Sequence, residues 1–285
     1  MNKEDLEELS KIIELALSED IRSGDITTQA VYKGNEEGRA RFIAKQDGVL
    51  AGVRVAELVA TTLDPGLKFN ALMQDGARIQ HGDVIATIEG SAGTILSAER
   101  TMLNFMQRMS GIATQVRRYM DIISNTKAVV LDTRKTVPGN RIIDKWAVSI
   151  GGGQNHRHGL YDRYLIKENH IRVAGSIEKA IQSCVDHRNA SENAPREIEI
   201  EVTNLDEFVL ASSFEAVTYI MLDNMSPEMM YEAVKLNNGH KVLEASGNVS
   251  EETILSIAET GVDQISIGAI THSVKAVDIS LLFDH

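Results

Sequence analysis

The spacing of hydrophobic residues changes near residue 112. Before that point, short apolar segments alternate with glycine-containing turns such as Asp47-Gly48 and Asp75-Gly76, a pattern typical of β-strands. Ahead of these segments, apolar residues at helical spacing predict an amphipathic helix over Lys3–Ile21. The predicted strands lie at residues 39–45, 49–53, 77–79 and 84–89.

A longer helical pattern follows these strands. Its apolar side includes Leu96, Leu103 and Met109. We predict a helix over residues 95–109, an interruption at Ser110-Gly111, and a second helix over residues 112–123.

After residue 123, short apolar segments alternate with helical ones. This alternation predicts a parallel sheet with helices outside it. Six strands can close into a barrel or remain open, and periodicity alone does not decide which. The sequence thus predicts an α/β protein of two domains, an α/β sandwich over residues 1–112 and a parallel α/β domain over residues 113–285, for which the family resemblance described below implies a barrel. The six predicted strands lie at residues 128–132, 164–167, 198–202, 218–223, 241–245 and 264–267.

Composition and charge restrict the possible partners. The 285 residues carry a formal net charge of -12, which argues against a nucleic acid as the partner. No stretch is apolar enough to span a bilayer, and the acidic first helix lacks the cationic start of a signal peptide. The single cysteine, Cys184, allows no disulfide within the chain. We therefore predict a cytoplasmic protein with no membrane partner.

Charged or small polar residues occur at the end of each predicted strand in the second half. The carboxyl ends of parallel strands meet at one edge of a sheet or barrel, and ligands bind there. A purely structural sheet does not require polar residues at all six ends, so we predict a polar site at this rim. These residues are Asp132–Lys135, Lys167–His170, Glu199 with Glu201, Asp223-Asn224, Glu244–Asn248 and Ser266–Gly268.

Basic residues are concentrated in the segment from Arg134 to Arg172. Eight Lys or Arg residues face three acids there, a local net charge of +5 in a chain of net charge -12. Guanidinium groups match the oxygens of carboxylates and phosphates, so the segment favours an anion site. The alternative is a solvated basic helix face, but Arg157 and Lys167 lie beside a glycine loop and a strand end rather than at helical spacing.

The later strand ends supply acids and small residues. Glu201 and Asp223 end neighbouring strands, where carboxylates commonly hold a Mg²⁺ ion beside phosphates. They are alternatively salt-bridge partners of the lysines. The turns at 246–248 and 266–268 follow the last two strands, a common phosphate position in such folds.

Three motifs in the second half are highly specific in combination: TRKTVPG at 133–139, GGGQNHR at 151–157 and LIKENH at 165–170. With them, the chain resembles the quinolinate phosphoribosyltransferase family over nearly its whole length. This resemblance implies a hammerhead-like N-terminal sandwich and an open, TIM-like α/β barrel, with about the last ten residues packed back on the N-terminal domain. Further matching segments, in order, are Glu19-Asp20, Gly24–Thr28, Ala98–Thr101, Leu103-Asn104, Ser110–Thr114, Glu199–Val202, Leu222–Asn224 and Glu244–Gly247.

The same resemblance implies an activity and an assembly. Quinolinate and phosphoribosyl pyrophosphate would be converted to nicotinate mononucleotide, pyrophosphate and carbon dioxide, in NAD biosynthesis. The implied assembly is a homodimer with shared active sites, with higher oligomers left open.

The resemblance also implies roles for individual residues. Lys135, Glu201 and Asp223 are the implied catalytic residues: Lys135 would contact phosphoribosyl pyrophosphate, and the two acids would face its ribose and Mg²⁺. Quinolinate would be bound by Thr133, Arg134, His156, Arg157 and Lys167, together with Arg100 of the partner subunit. The 5′-phosphate would be held by Ser246, Gly247, Asn248, Ser266, Ile267 and Gly268.

Three positions depart from the family pattern. Val137 stands where a threonine is common, and Glu168 replaces a frequent aspartate. Asn248 replaces a frequent glycine, which affects the detail of the phosphate turn; asparagine tolerates positive φ better than most residues.

Other interpretations of the same residues differ in class. Lys167 could serve as the Schiff-base amine of an aldolase. A metal hydrolase could use His156, His158 and His170, although the intervening Arg157 weighs against this. The chain could also be a non-catalytic barrel that binds sugar phosphates, against which the complete set of acids and cations argues.

Overall fold

The computed structural model describes residues 3–34, 36–192 and 194–284. The helices of these segments are α1 (Lys3–Ile21), α2 (Ile26–Val31), α3 (Val53–Leu63), α4 (Ala92–Ile122), α5 (Arg141–Gly151), α6 (Glu168–Ala174), α7 (Ile177–Ala190), α8 (Leu205–Ser212), α9 (Pro227–Asn237), α10 (Ile254–Ala258) and α11 (Ala269–His272). The strands are β1 (Glu37–Ala44), β2 (Gly48–Val49), β3 (Lys68–Ala71), β4 (Arg78–Ile79), β5 (Val84–Ser91), β6 (Val129–Leu131), β7 (Tyr164–Ile166), β8 (Ile198–Val202), β9 (Tyr219–Asp223), β10 (Val242–Ser246), β11 (Gln264–Ser266) and β12 (Ile279–Phe283).

The first sheet is antiparallel and has the order β12-β1-β5-β3. In β1, Ala40, Phe42 and Ala44 are buried on one face, which is the alternation expected of a strand with one covered side. Strand β12 pairs with β1, with Ala40 opposite Phe283 and Ala44 opposite Ile279. Residues near the C-terminus therefore lie in the same sheet as residues near the N-terminus.

The second sheet is parallel and has the order β6-β11-β10-β9-β8-β7. Its strands lie within two residues of the six predicted ones, because each is a short apolar run followed by polar residues. In the described part of the chain, β6 and β7 stand at opposite ends of this order, so the strand pairing remains open. An antiparallel sheet followed by a parallel α/β sheet confirms the predicted fold class.

The compact units of the structure are not continuous in sequence. One comprises Met1–Arg117, Thr136–Gly152 and Ile270–His285, and the other comprises Arg118–Lys135 and Gly153–Ala269. The division into 1–112 and 113–285 therefore differs from these units, chiefly at α5. That helix is tied to α4 of the same unit by the fully buried Asp144, which forms a bidentate ion pair with Arg108 at two oxygen–nitrogen distances of 2.8 Å.

Helix α4 is continuous where the sequence predicts an interruption. The Ser110 hydroxyl accepts the Ala51 N–H at 2.9 Å and donates to the Ala51 carbonyl at 3.1 Å, so its hydrogen bonds hold the helix on the β2–α3 connection. A Cβ at Gly111 would overlap the carbonyl oxygen of Lys275. The predicted interruption is wrong because Ser110 and Gly111 allow close packing against neighbouring segments and do not break the helix.

Replacing Gly111 with alanine is therefore expected to lower the free energy of unfolding by about 1–3 kcal/mol, although alanine is the better helix former. Urea denaturation followed by circular dichroism measures this change. Asn104→Ala is the matched control, since Asn104 is an exposed residue of the same helix, and it should cost nothing. Equal stability of the two variants would contradict the packing role of Gly111.

The predicted N-terminal helix is present as α1. It buries Leu9, Ile13 and Leu17 while leaving Leu6 45% exposed, which is the one-sided burial expected of an amphipathic helix. In the described segments, none of the helices combines the length and apolar character that crossing a bilayer demands.

Candidate active site

The parallel sheet brings the predicted residues of the second unit to one edge. Glu201 lies in β8, Asp223 ends β9, Ser246 ends β10 and Ser266 ends β11. Lys167 follows β7 as the N-cap residue of α6. Because all six strands run in the same direction, these positions share the carboxyl edge.

Two further segments reach the same edge beside β6. Thr133, Arg134 and Lys135 follow β6 directly, and the Thr133 hydroxyl accepts the Lys135 N–H at 3.0 Å. Gln154 forms an isolated parallel bridge with Leu131 of β6, which brings His156 and Arg157 next to the end of that strand.

Arg134 and Arg157 form a pair of cationic groups with unused donors. Arg157 is only 8% exposed, and its Nη1 donates to the Arg163 carbonyl at 3.1 Å. The Nε atoms of Arg134 and Arg157 are both buried, and neither has a hydrogen-bond partner among the described residues. Burial, and then the charge of Arg134, lowers the pKa of Arg157 below its ordinary value. Unsatisfied buried donors are costly, so this pair is poised for an anion.

Lys167 forms an ion pair with Glu201. The Nζ–Oε2 distance is 2.6 Å, with the Lys167 side chain 45% exposed and that of Glu201 16% exposed. The salt-bridge alternative for Glu201 is thus present in the structure. An ammonium ion held by a carboxylate differs from the neutral amine that Schiff-base formation requires, which argues against the aldolase interpretation.

A hydrogen bond between two asparagine side chains links the segments that follow β9 and β10. Asn224 and Asn248 have φ values of 53° and 52°, and the Asn248 Nδ2 donates to the Asn224 Oδ1 at 3.1 Å. The Asn224 side chain also donates to Asp223 at 2.8 Å. Gly247 has a φ of 98°, and a Cβ there would overlap the Asn224 Oδ1. Asn248 therefore adopts the positive φ that made asparagine an acceptable replacement for glycine.

The β11 end is less available than its sequence suggests. Ser266 is 5% exposed, and its hydroxyl donates to Glu244 inside the sheet. The Ile267 N–H donates to the Leu131 carbonyl at 3.0 Å. Two of the donors expected to hold the 5′-phosphate at 266–268 are thus engaged within the protein.

His156 lies in a buried cluster below the rim. Its N–H donates to Asp132 Oδ1 at 2.9 Å, and its Nδ1 accepts the Arg157 N–H at 2.7 Å. Its Nε2 lies 3.1 Å from an oxygen of Glu199 and 3.5 Å from one of Glu244. Glu199 and Glu244 have no exposed surface. Alternation along β8 places Glu199 one layer below Glu201 on the same face of the sheet.

The pKa values of the two buried carboxyl groups are shifted in opposite directions. Burial acts to raise the pKa of Glu199, but the hydrogen bond from His156 and the charge of Arg163 hold it below its ordinary value. Burial, and then the charge of Glu199, raises the pKa of Glu244 well above its ordinary value. The Arg163 Nη1 lies 3.4 Å from Glu199, so a cation stands beside the carboxyl group whose pKa is lowered.

The cluster has the residue types of a metal site, but it is not the set of three histidines that a metal hydrolase was expected to use. In the described residues, His156, Glu199 and Glu244 are the one group of three His, Cys, Asp or Glu side chains close enough to share an ion. His158 and His170 are not members of this group. The metal-hydrolase interpretation therefore finds no support.

Arg100 lies on α4, in the other compact unit. Its side chain is exposed. Burial raises the pKa of the neighbouring Glu99, against the charge of Arg100.

Two family models cover almost all of the chain. The model of the quinolinate phosphoribosyl transferase N-terminal domain matches residues 25–110, and that of the C-terminal domain matches residues 112–282. This chain belongs to the quinolinate phosphoribosyltransferase family. The resemblance of its motifs to that family is confirmed.

Similar proteins and a similar solved structure belong to the same family. Over 292 residues the chain is 44% identical to quinolinate phosphoribosyltransferase [decarboxylating] 1b of Nicotiana tabacum, covering 97% of this chain and 83% of that protein. It is 45% identical to the chloroplastic nicotinate-nucleotide pyrophosphorylase [carboxylating] of Arabidopsis thaliana, with the same coverage. The nicotinate-nucleotide pyrophosphorylase structure from Francisella tularensis aligns with a TM-score of 0.90 and 42% identity, over 98% of this chain and 96% of that chain.

The sequence did not reveal the buried contacts among residues that lie beneath the candidate site. It placed Asp132, Glu199 and Glu244 among the polar residues of the rim but gave none of them an individual role. It also missed Arg163, whose guanidinium lies 4.1 Å from the centre of the Tyr219 ring and contacts Glu199. An acidic residue inside an otherwise apolar strand, as in Ile198-Glu199-Ile200, was the available signal, because such a carboxylate needs a buried partner.

Proposed function

We propose that this protein transfers a phosphoribosyl group from phosphoribosyl pyrophosphate to quinolinate and releases carbon dioxide, forming nicotinate mononucleotide in NAD biosynthesis. The observation that carries the proposal is the pair of guanidinium groups at the rim, whose buried Nε donors have no partner in the described structure. A small dicarboxylate supplies the negative charge and the acceptor oxygens that this pair lacks. Family membership identifies that dicarboxylate as quinolinate.

The quinolinate part of the site is cationic. We assign its two carboxylates to Arg134, Arg157 and Lys167, with Thr133 assisting and Arg100 of the partner subunit completing the set. Lys167 would exchange Glu201 for a substrate carboxylate, since the ion pair is partly exposed and therefore weak. Each charge-assisted hydrogen bond contributes about 1.5–3 kcal/mol, so several are needed to replace the hydration of a dianion.

The phosphoribosyl part of the site lies on the later strands. We assign Lys135 to the pyrophosphate, and the ribose to Glu201 and Asp223. Glu201 pairs in register with Met221, so Asp223 is two residues further along the same face of the adjacent strand. The 5′-phosphate is assigned to the turn of Ser246, Gly247 and Asn248, with a smaller contribution from residues 266–268 because Ser266 and Ile267 are engaged.

A Mg²⁺ ion is part of the proposal. The carboxylates of Glu201 and Asp223 are the oxygen donors that this ion prefers, and Asp223 is held by a neutral amide rather than by a cation, so the donor set fits. Glu201 would have to leave Lys167 to take part. When bound, Mg²⁺ would neutralise charge on the pyrophosphate.

The chemistry requires positioning and charge more than a covalent catalyst. The pyridine nitrogen attacks the anomeric carbon of the ribose as pyrophosphate leaves, and the carboxylates of Glu201 and Asp223 stabilise the positive charge that develops on the sugar. Lys135 offers its ammonium group to the departing pyrophosphate. Once alkylated, the ring nitrogen is positive, so the adjacent carboxylate leaves as carbon dioxide and a proton replaces it on the ring carbon.

A shared-site homodimer is the proposed assembly. Supporting it, the region after Arg157 exposes large apolar side chains: Leu160 is 74% exposed, Tyr161 76% and Val173 91%. All three side chains line one cavity, and a contiguous exposed apolar patch of this kind is typical of an interaction surface. Assembly of dimers into larger oligomers is not part of the proposal. A cytoplasmic location is also part of the proposal and rests on the sequence.

The deciding assay mixes the protein with quinolinate and phosphoribosyl pyrophosphate and measures nicotinate mononucleotide, pyrophosphate and carbon dioxide. Product should form with Mg²⁺ and be lost when the ion is chelated. Nicotinate, which lacks the second carboxylate, is the matched control substrate and should react far more slowly. Failure to form product from quinolinate, or equal rates with nicotinate, would overturn the proposal.

Mixing two inactive variants is expected to restore activity if the active sites are shared. Arg100→Ala and Lys167→Ala each damage both sites of their own dimer, but a hybrid dimer keeps one site intact. After denaturation and refolding together, random pairing should give about a quarter of the wild-type activity. Each variant refolded alone is the control, and a mixture that is no more active than these controls would argue against sharing.

A further inference from the structure

The guanidinium of Arg157 is anchored at the far end of its own loop. Its Nη1 donates to the carbonyl of Arg163, six residues later, at 3.1 Å. This bond closes residues 157–163 into a loop that ends where β7 begins, at Tyr164. Because the accepting carbonyl is a backbone group, the direction of the Arg157 guanidinium depends on where Arg163 is held.

Hydrogen bonds within the loop restrain it further. The Asp162 carboxylate accepts the His158 N–H at 2.6 Å and the Gly159 N–H at 3.0 Å. Backbone groups at the start of the loop are thereby tied to a side chain near its end. A displacement of Arg163 therefore displaces the anchor of Arg157.

The Arg163 side chain is held by three groups of the parallel sheet. Its guanidinium carbon lies 4.1 Å from the centre of the Tyr219 ring on β9. Its Nε donates to the Glu197 Oε2 at 3.1 Å, and its Nη1 lies 3.4 Å from Glu199 of β8. The Tyr219 hydroxyl donates to the other oxygen of Glu197 at 3.3 Å, so the ring and the carboxylate that hold Arg163 are themselves joined. The side chain of Arg163 is only 14% exposed.

We infer that Arg163 is a positioning residue: its side chain, held between Tyr219 and Glu197, fixes the carbonyl that orients the guanidinium of Arg157. The inference rests on the proposed function, because it concerns how the quinolinate-binding arginine is held. A guanidinium that is oriented before the ligand arrives loses less conformational entropy on binding, so its hydrogen bonds contribute more to affinity.

The two arginines of the loop differ in what is left for a ligand. The guanidinium of Arg163 is paired with a carboxylate and packed on an aromatic ring. The buried Nε of Arg157 has no hydrogen-bond partner among the described residues. The protein thus compensates Arg163 itself and leaves a donor of Arg157 available to the substrate. Arg163 therefore acts through Arg157 rather than by contact with quinolinate.

Replacements of similar length at Arg163 test the inference. Lysine can still pair with Glu197 and lie over the Tyr219 ring, whereas methionine cannot form the ion pair. We expect Arg163→Met to raise the KM for quinolinate about tenfold, and Arg163→Lys to stay within about threefold of wild type. The KM for phosphoribosyl pyrophosphate should be unchanged in both variants. Equal quinolinate KM values for the two variants, or an equal rise for both substrates, would overturn the inference.

The matched control is an arginine outside the loop. Arg188 of α7 also donates to a backbone carbonyl, that of Arg196, at 3.0 Å, but at an exposed position. Arg188→Met should therefore leave both KM values unchanged. A rise in the quinolinate KM as large as that of Arg163→Met would assign the effect to general loss of arginine and count against the inference.

A double-mutant cycle shows whether Arg163 acts through Arg157. Added to Arg157→Ala, the Arg163→Met change should cause no further rise in the quinolinate KM. If the two fold-changes multiplied instead, Arg163 would act on the substrate without Arg157, and the inference would fail.

Variants of Tyr219 keep the test available if Arg163→Met does not fold. Tyr219→Phe keeps the ring face on which Arg163 packs, and Tyr219→Leu removes it. We expect the phenylalanine variant to resemble wild type and the leucine variant to raise the quinolinate KM about fivefold or more. Equal KM values for these two variants would contradict the inference. Absence of nicotinate mononucleotide with the wild-type enzyme would instead defeat the proposed function, so the two failures are distinguishable.

Discussion

Replacing Arg157 with alanine is expected to raise the KM for quinolinate by about one to two orders of magnitude. The change removes a charge-assisted hydrogen bond of about 1.5–3 kcal/mol, and each 1.4 kcal/mol is tenfold in affinity. Arg157 is 8% exposed, and its buried Nε has no hydrogen-bond partner among the described residues. Steady-state kinetics with phosphoribosyl pyrophosphate at saturation measure the effect.

Two further variants sharpen this result. Arg172→Ala is the matched control, because Arg172 is an exposed arginine that pairs with Glu168, one helical turn earlier, and its loss should leave the KM unchanged. Arg157→Lys keeps the charge but loses the planar fork, so it should fall between alanine and wild type. An unchanged KM for a folded Arg157→Ala enzyme would remove Arg157 from the substrate site.

Replacing Asp144 with alanine is expected to cost about 3 kcal/mol of stability or more. Asp144 has no exposed surface and receives two hydrogen bonds of 2.8 Å from Arg108, whose side chain is 25% exposed. Removing one partner leaves the other charge without compensation, a loss typically of 3–5 kcal/mol. Urea denaturation would show the loss as a lower midpoint.

The matched control for Asp144 is the exposed ion pair of Arg172 and Glu168. Glu168→Ala removes a carboxylate from an arginine at 2.5 Å but at the surface, where such a pair contributes less than about 1 kcal/mol. Replacing both partners, as Arg108→Met with Asp144→Leu, should recover part of the stability, because no unpaired charge remains. If Asp144→Ala cost no more than Glu168→Ala, the buried pair would not hold α5 in place.

The sequence predicted the parallel sheet well and two features of the first unit poorly. Each parallel strand is a short apolar run followed by polar residues, a pattern that local sequence reveals. By contrast, β3 has only Phe69 as a large apolar residue and lies at a sheet edge, so it shows little alternation. Helix α4 seemed broken because the partner that explains Gly111, at Lys275, is distant in sequence.

The candidate site was likewise predicted only in part from the sequence. Its rim residues could be named because parallel strands bring their carboxyl ends together whatever the side chains do. The direction of each side chain could not be inferred. Ser266 was expected to face a phosphate, yet its hydroxyl turns to Glu244, and His156 was expected to face quinolinate, yet its ring is held by Glu199 and Arg157. Such orientations depend on hydrogen bonds between residues far apart in the chain.

The pairing of β12 with β1 has a consequence for biosynthesis. On the ribosome, β1 emerges early, but the strand that covers its outer edge comes from residues 279–283. Until those residues are made, the edge carries unpaired N–H and carbonyl groups that invite pairing with another chain. The first sheet therefore completes its hydrogen bonding late in translation, and truncations that remove β12 should yield a nascent chain prone to aggregation.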